Sequence, residues 1–276
     1  MIMKNLSALC SDIISYNRPE KNKENLKLLY STIDLTNLHS TATESDILKL
    51  CKNALRSNFQ GITIPTVAAV CVYPVYVTQC KEALHNSALN IATVTGVFPH
   101  AQSFPEVKYL ETEMAINHGA TEIDIVIHLS AILNKNESLV FDEIKTIKQI
   151  CGQHHLKVIL ETGLLEDNQL IEEASNMALE SGADFIKTST GKDGSTASVE
   201  AVYTMCQVIK DYYEKTGRKA GIKPAGGIST SDDALNYMAI LNEVLGAEWL
   251  SPQLFRLGAS RLADNLLHDI AELEKV

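Results

Sequence analysis

Charged side chains interrupt several runs that otherwise have the apolar, β-branched character of buried strands. In ADFIKTSTG, Lys187 shares an alternating face with Phe185 and Ser189, while Ile186 points the other way. GIKPAGG carries Lys223, EIDIVI carries Asp124, LKVILETG puts Lys157 and Glu161 on a common face, and STIDLT carries Asp34. A buried charge costs desolvation energy unless it is paired, so each needs a reason to be there. Adjacent strands lie about 4.8 Å apart, and in a sequential strand order Lys187 and Lys223 become neighbours at similar height. Two ammonium groups that close disfavour double protonation, and one amine then loses its proton more readily than in water. A neutral lysine amine attacks carbonyls and forms Schiff bases. Asp124 is suited to relaying a proton alongside Lys223. Any one of these residues has a competing explanation as a structural ion pair. Lys187, Lys223, Asp124 and Lys157 together exceed what structure gains from half-buried cations, whereas Glu161 and Asp34 stay open between contacting a substrate and balancing the lysines.

A second group follows the late strands. The turns STGKDGST, PAGGIST and LGASRL carry Gly191, Lys192, Gly226, Gly227, Gly258 and Ser260. Glycine lets backbone N–H groups approach an anion, and a following helix start aims more of them at it. Cys71, in AVCVYP, reads as a small core residue that reacts with an aldehyde only if it faces the site. His154 and His155 are adjacent near a helix end and no HExxH occurs, so no metal set is expected.

The elements that must position these residues follow a βα rhythm. Strands are predicted at Leu29 to Asp34, Ala68 to Tyr73, Ile91 to Thr95, Glu122 to Ile127, Lys157 to Glu161, Asp184 to Thr188, Gly221 to Lys223 and Phe255 to Gly258. Amphipathic helices are predicted between them, at Ser45 to Asn58, Pro74 to Asn86, Pro105 to Asn117, Phe141 to His154, Asp167 to Glu180, Ser198 to Lys215 and Ser231 to Leu245. The helix ends HGA, SGA and LGA put glycine where the left-handed turn comes. Eight strands without a polar linker predict an α/β fold, a single (β/α)8 TIM barrel over residues 29–276. Residues 1–28 read as an extension with a short helix around Leu6 to Ile14 and a loop at Asn17 to Asn25. In such a barrel phosphate often binds near strands seven and eight. A doubly wound sheet is disfavoured, since DLTNLHSTAT replaces the glycine-rich dinucleotide turn after the first strand.

The chain has 276 residues, with 24 Lys and Arg against 34 Asp and Glu, a formal charge of −10. That balance disfavours nucleic acid or an anionic membrane as a partner but leaves anionic small molecules open. No apolar run is long enough to span a bilayer and no signal peptide is recognisable, while the six cysteines form no Cys-x-x-Cys pair. Free thiols and a cytoplasmic location are expected.

The set IDLTNL, AAVCVYP, IATVTGVFPH, ATEIDIVI, LKVILETG, ADFIKTSTGK, GIKPAGGI and RLGAS, over about residues 29–262, resembles the deoxyribose-phosphate aldolase family of Schiff-base enzymes on TIM barrels. The resemblance implies that Lys187 forms the imine, Lys223 perturbs it and Asp124 serves the proton relay, with Lys157 and Asp34 in support. It implies a 5-phosphate held at Gly191, Lys192, Gly226, Gly227, Gly258 and Ser260, and an imine that acts as electron sink without a cofactor. A phosphorylated sugar is the implied partner, and a homodimer would fit. Two positions depart from the family pattern: Ser229 stands where many relatives carry a basic residue, and Arg261 where a second serine is common. Arg261 would then restore the missing positive charge at the phosphate. The final AELEKV lacks the tyrosine with which some relatives end. The rival readings are a carboxylate-based phosphosugar isomerase or epimerase on the same barrel, and a sugar-phosphate binding protein without turnover.

Overall fold

The computed structural model describes residues 2–165, 167–192 and 196–275. Its elements run α1 (Ile2–Asn17), α2 (Lys23–Ser31), β1 (Ile33–Thr36), α3 (Glu44–Ala54), a two-residue-armed hairpin β2 (Asn58–Phe59) and β3 (Ile62–Thr63), then β4 (Ala69–Val72). They continue through a 3-10 turn at Pro74–Tyr76, α4 (Val77–Ala83), β5 (Asn90–Thr95), α5 (Pro105–His118), β6 (Glu122–Val126), α6 (Leu129–Leu133), α7 (Glu137–Cys151) and β7 (His155–Ile159). The last third holds α8 (Thr162–Leu165), α9 (Asn168–Glu180), β8 (Phe185–Lys187), α10 (Val199–Thr216), β9 (Gly221–Lys223), α11 (Ser231–Leu245), β10 (Leu257–Ala259) and α12 (Arg261–Leu273).

Eight parallel strands pair in the order β10-β1-β4-β5-β6-β7-β8-β9. The parallel bridges Ile222↔Phe255 and Ala225↔Gly258 join β9 back to β10 and close the ring. The expected (β/α)8 barrel is the fold. Outward-facing strand residues such as Val70, Ile123, Val158, Ile186 and Ile222 pack against the helices in one continuous core. The stripe expected on α9 is there, with Ile171, Ala174, Met177 and Ala178 buried. Local chemistry fixes the helix ends: Thr230 and Asp233 make a reciprocal capping box at the start of α11, and Gly119 leaves α5 at φ 117°.

The sequence reading of the first strand needs correction. Leu29 to Ser31 belong to α2, and the strand starts at Ile33. Asn22 accepts the N–H of Asn25 at the helix start, so the helix also takes the end of the expected loop. Leu26, Leu29 and Tyr30 are buried at helical spacing, and α2 packs on α12. The helix expected over Leu6 to Ile14 is longer, and α1 packs on α10 and α11. A final helix beyond those expected, α12, buries Leu262, Leu266, Leu267 and Ile270.

Candidate active site

Strand alternation and register gather the interior charges at one level of the barrel. Asp124 of β6 pairs with Lys157 of β7, and Lys187 of β8 with Lys223 of β9. Asp124 is the hub: Oδ1 accepts from Lys157 Nζ at 2.8 Å, while Oδ2 accepts from both Lys187 Nζ at 2.9 Å and Lys223 Nζ at 2.8 Å. Asp34 of β1 places Oδ2 2.5 Å from Lys223 Nζ, an ion contact off the hydrogen-bond direction, and 3.7 Å from Lys157 Nζ.

Below this layer lie two residues the sequence reading missed. Arg256 donates to Asp34 Oδ1 at 2.6 Å and forks onto both oxygens of Glu122 at 2.8 and 3.1 Å. Lys157 Nζ lies 2.7 Å from Glu122 Oε2. The Arg256 guanidinium stacks over the Phe185 ring at 5.6 Å, and Phe185 fills the space beside Gly221, where a Cβ would lie 2.2 Å from the ring. Alternation was the available signal: Glu122 lies two residues before Asp124, and Arg256 two before Gly258.

Charge counting singles out Lys187. Lys157, Lys187, Lys223 and Arg256 face the three carboxylates Asp34, Glu122 and Asp124. Loss of one proton balances this buried cluster. Burial draws the Lys187 amine below the usual lysine range; Asp124 opposes that and Lys223 adds to it. Burial also disfavours charge on Lys223, but Asp124 and Asp34 outweigh it and raise its pKa. Asp124, despite the opposing push of burial, is held well below the carboxylate range by Lys157, Lys187 and Lys223. Lys187 thus keeps a fixed anion beside it while its own charge is the least favoured of the three lysines. Its side chain is 4% exposed and lines a cavity of about 310 Å³ at the carboxyl end of the barrel.

The remaining wall of that cavity is the loop set singled out in the sequence. Gly191, Lys192, Gly226, Gly227, Gly258, Ser260 and Arg261 all line it, joined by Thr36, His39, Thr190 and Ser229. Thr188 ties two of the loops together: its hydroxyl donates to the Ala225 carbonyl at 3.0 Å and accepts the Ala225 N–H at 2.9 Å. At Gly258 an added Cβ would lie 2.7 Å from Ala225 Cβ and 3.2 Å from Lys223 Cε, so the glycine gives Lys223 its room. The residues 193–195 of STGKDGST lie outside the described residues.

Two other residues lie off the cavity lining. Cys71 is fully buried inside the barrel with Leu38, Ala69, Ala92 and Val94, near enough to Lys223, Asp124 and Lys187 to feel their charges, and burial pushes its thiol up. Glu161 balances none of the lysines; its Oε1 accepts the backbone N–H of Thr190 at 3.0 Å. A cavity with a depressed lysine at its base and glycine turns with two cations at its mouth can hold a phosphorylated carbonyl compound and attack it covalently.

The DeoC/LacD family aldolase model matches residues 28–241. The deoxyribose-phosphate aldolase of Homo sapiens is 41% identical over 251 residues, covering 86% of this chain and 78% of the human one. That of Bos taurus is 40% identical with the same coverage. Among solved structures, the tetrameric deoxyribose phosphate aldolase of Aeropyrum pernix matches with a TM-score of 0.71 and 26% identity, covering 92% of this chain and all of that one.

Proposed function

Because the chain belongs to the DeoC/LacD aldolase family, we propose that it reversibly cleaves 2-deoxy-D-ribose 5-phosphate to D-glyceraldehyde 3-phosphate and acetaldehyde through a Schiff base on Lys187. The observation that carries this reading is the sharing of one Asp124 oxygen by Lys187 and Lys223, with Lys187 alone opening onto a cavity walled by anion-binding turns. The names of the human and bovine relatives supply the substrate class.

The steps follow from the placement of these groups. The Lys187 amine attacks the C1 aldehyde of the open-chain sugar, and the carbinolamine loses water to give the imine. Loss of the C3 hydroxyl proton drives breakage of the C2–C3 bond, with the bonding pair drawn into the imine as an enamine. Glyceraldehyde 3-phosphate leaves, the enamine carbon takes a proton, and hydrolysis returns the amine and acetaldehyde. Asp124, ionised and within reach of both lysines, suits proton relay through Lys223. The loops bearing Gly191, Lys192, Gly226, Gly227, Gly258, Ser260 and Arg261 receive the 5-phosphate, and Lys157 and Asp34 hold Asp124 and Lys223 in place.

Incubation with 2-deoxyribose 5-phosphate and borohydride, followed by peptide mass mapping, tests the reading. A reduced two- or five-carbon adduct on the Lys187 peptide is expected. Folded protein that binds the sugar phosphate yet forms no adduct would overturn the aldolase reading in favour of carboxylate-based isomerisation.

A further inference from the structure

Glu161 combines two features that the reaction steps leave unused. It follows β7 in a left-handed backbone, φ 55°, which residues with side chains rarely adopt. Its carboxylate is also withdrawn from water, the residue being 4% exposed, without pairing any lysine of the neighbouring cluster. What it holds is the amide of Thr190, at 3.0 Å.

From that amide a chain of bonds crosses the cavity mouth. Thr190 Oγ1 accepts the N–H of Lys192 at 3.0 Å, and Lys192 Nζ donates to the carbonyl of Leu38, 2.6 Å away on the loop after β1. Thr190, Gly191, Lys192 and Leu38 line the cavity, whereas Glu161 stands behind them. A carboxylate near an anion site opposes the anion electrostatically, so its position here calls for a compensating gain. A charge-assisted hydrogen bond to the loop backbone supplies one, because a loop already fixed spends no binding energy on being ordered.

We infer that Glu161 is a positioning residue for phosphate recognition: it anchors the Thr190 amide and so sets Gly191 and Lys192 where they meet the phosphate. This rests on the proposed reading that the cavity receives the sugar's phosphate. The test compares native protein, Glu161→Gln and Glu161→Ala on 2-deoxyribose 5-phosphate and on unphosphorylated 2-deoxyribose. In Glu161→Ala, KM for the phosphorylated sugar rises about tenfold or more, the loss expected of one charge-assisted bond. The ratio of kcat/KM for the phosphorylated over the plain sugar falls by a similar factor. Glu161→Gln, whose amide oxygen accepts the same N–H, keeps that ratio within about threefold. Equal losses on both sugars, or Gln behaving as Ala, would overturn the inference while leaving the phosphate site standing. Native protein that shows no preference for the phosphorylated sugar, and no competition by inorganic phosphate, removes the phosphate site itself. Should Glu161→Ala fail to fold, Thr190→Val breaks the next link by deleting the acceptor for the Lys192 N–H. A fall in the same ratio supports the chain of bonds, and an unchanged ratio overturns it.

Discussion

Replacing Lys223 with methionine removes one of the charges that oppose protonation of Lys187. Burial is the larger cause of the depressed Lys187 pKa, Asp124 works against it, and Lys223 assists it. Without the Lys223 ammonium, Asp124 also interacts more strongly with Lys187. Both changes raise the Lys187 pKa towards the ordinary value of about 10.4. The neutral amine is the reactive form, so kcat/KM climbs as pH rises through that pKa. Lys223→Met therefore shifts the ascending limb of the kcat/KM profile to more alkaline pH, on top of any loss of overall rate. A limb left in place would show that Lys223 has no part in tuning Lys187. At this scale the sequence exposed Lys187, Lys223, Asp124 and Lys157 because a charge amid strand residues violates a strong physical rule. Glu122 opens its expected strand, where a charge usually meets solvent, and Arg256 is the second residue of the short expected strand Phe255 to Gly258, where a charge so near the end reads the same way. Only closure of the barrel brings these two, 134 residues apart, to 2.8 Å and buries them.

Helices obey the same division between local and non-local information. The spacing of Leu26, Leu29 and Tyr30 is helical, yet the apolar run through Ile33 also fits a strand, and packing on α12 decides between them. That partner lies more than two hundred residues further along the chain, beyond the reach of any local pattern. α1 poses the corresponding energetic question. It buries Cys10 and Ile13 and tucks Leu6 and Ile14 against the core, while the ion pairs Arg18–Asp232 and Lys23–Glu274 after it lie at the surface. Exposed pairs contribute about 0–1 kcal/mol, whereas burial of a large apolar side chain contributes about 1.5–3 kcal/mol. Deleting residues 1–17 is expected to lower stability by about 2–5 kcal/mol, as the lost apolar contacts are partly offset by the entropy of the freed segment. Lys23→Ala should lower it by about 1 kcal/mol or less. Urea unfolding measures both changes, and an unshifted midpoint in the deletion variant would show that α1 adds nothing to the core.

Across the whole molecule, a formal charge of −10 surrounds a cavity lined by Lys187, Lys192 and Arg261, with no Asp or Glu among its described lining residues. A sugar phosphate thus meets two fields of opposite sign and different range. A folded chain of this length has a radius of gyration of about 19 Å. The Debye length is about 30 Å at 0.01 M salt, so the approaching phosphate feels the repulsion of the entire surface. At 0.15 M it is about 8 Å, and distant carboxylates are screened while cations at the cavity wall still act. By 1 M it is about 3 Å, and even those contacts weaken. KM for 2-deoxyribose 5-phosphate should therefore fall between 0.01 and 0.15 M salt and climb again towards 1 M, while KM for unphosphorylated deoxyribose stays flat. In Arg261→Ala the climb should be shallower, since one cation of the wall is gone. A steady rise from the lowest salt would mean that the cavity cations dominate at every range. A steady fall to 1 M would mean that they never engage the phosphate, and would remove Arg261 from its proposed part in holding it.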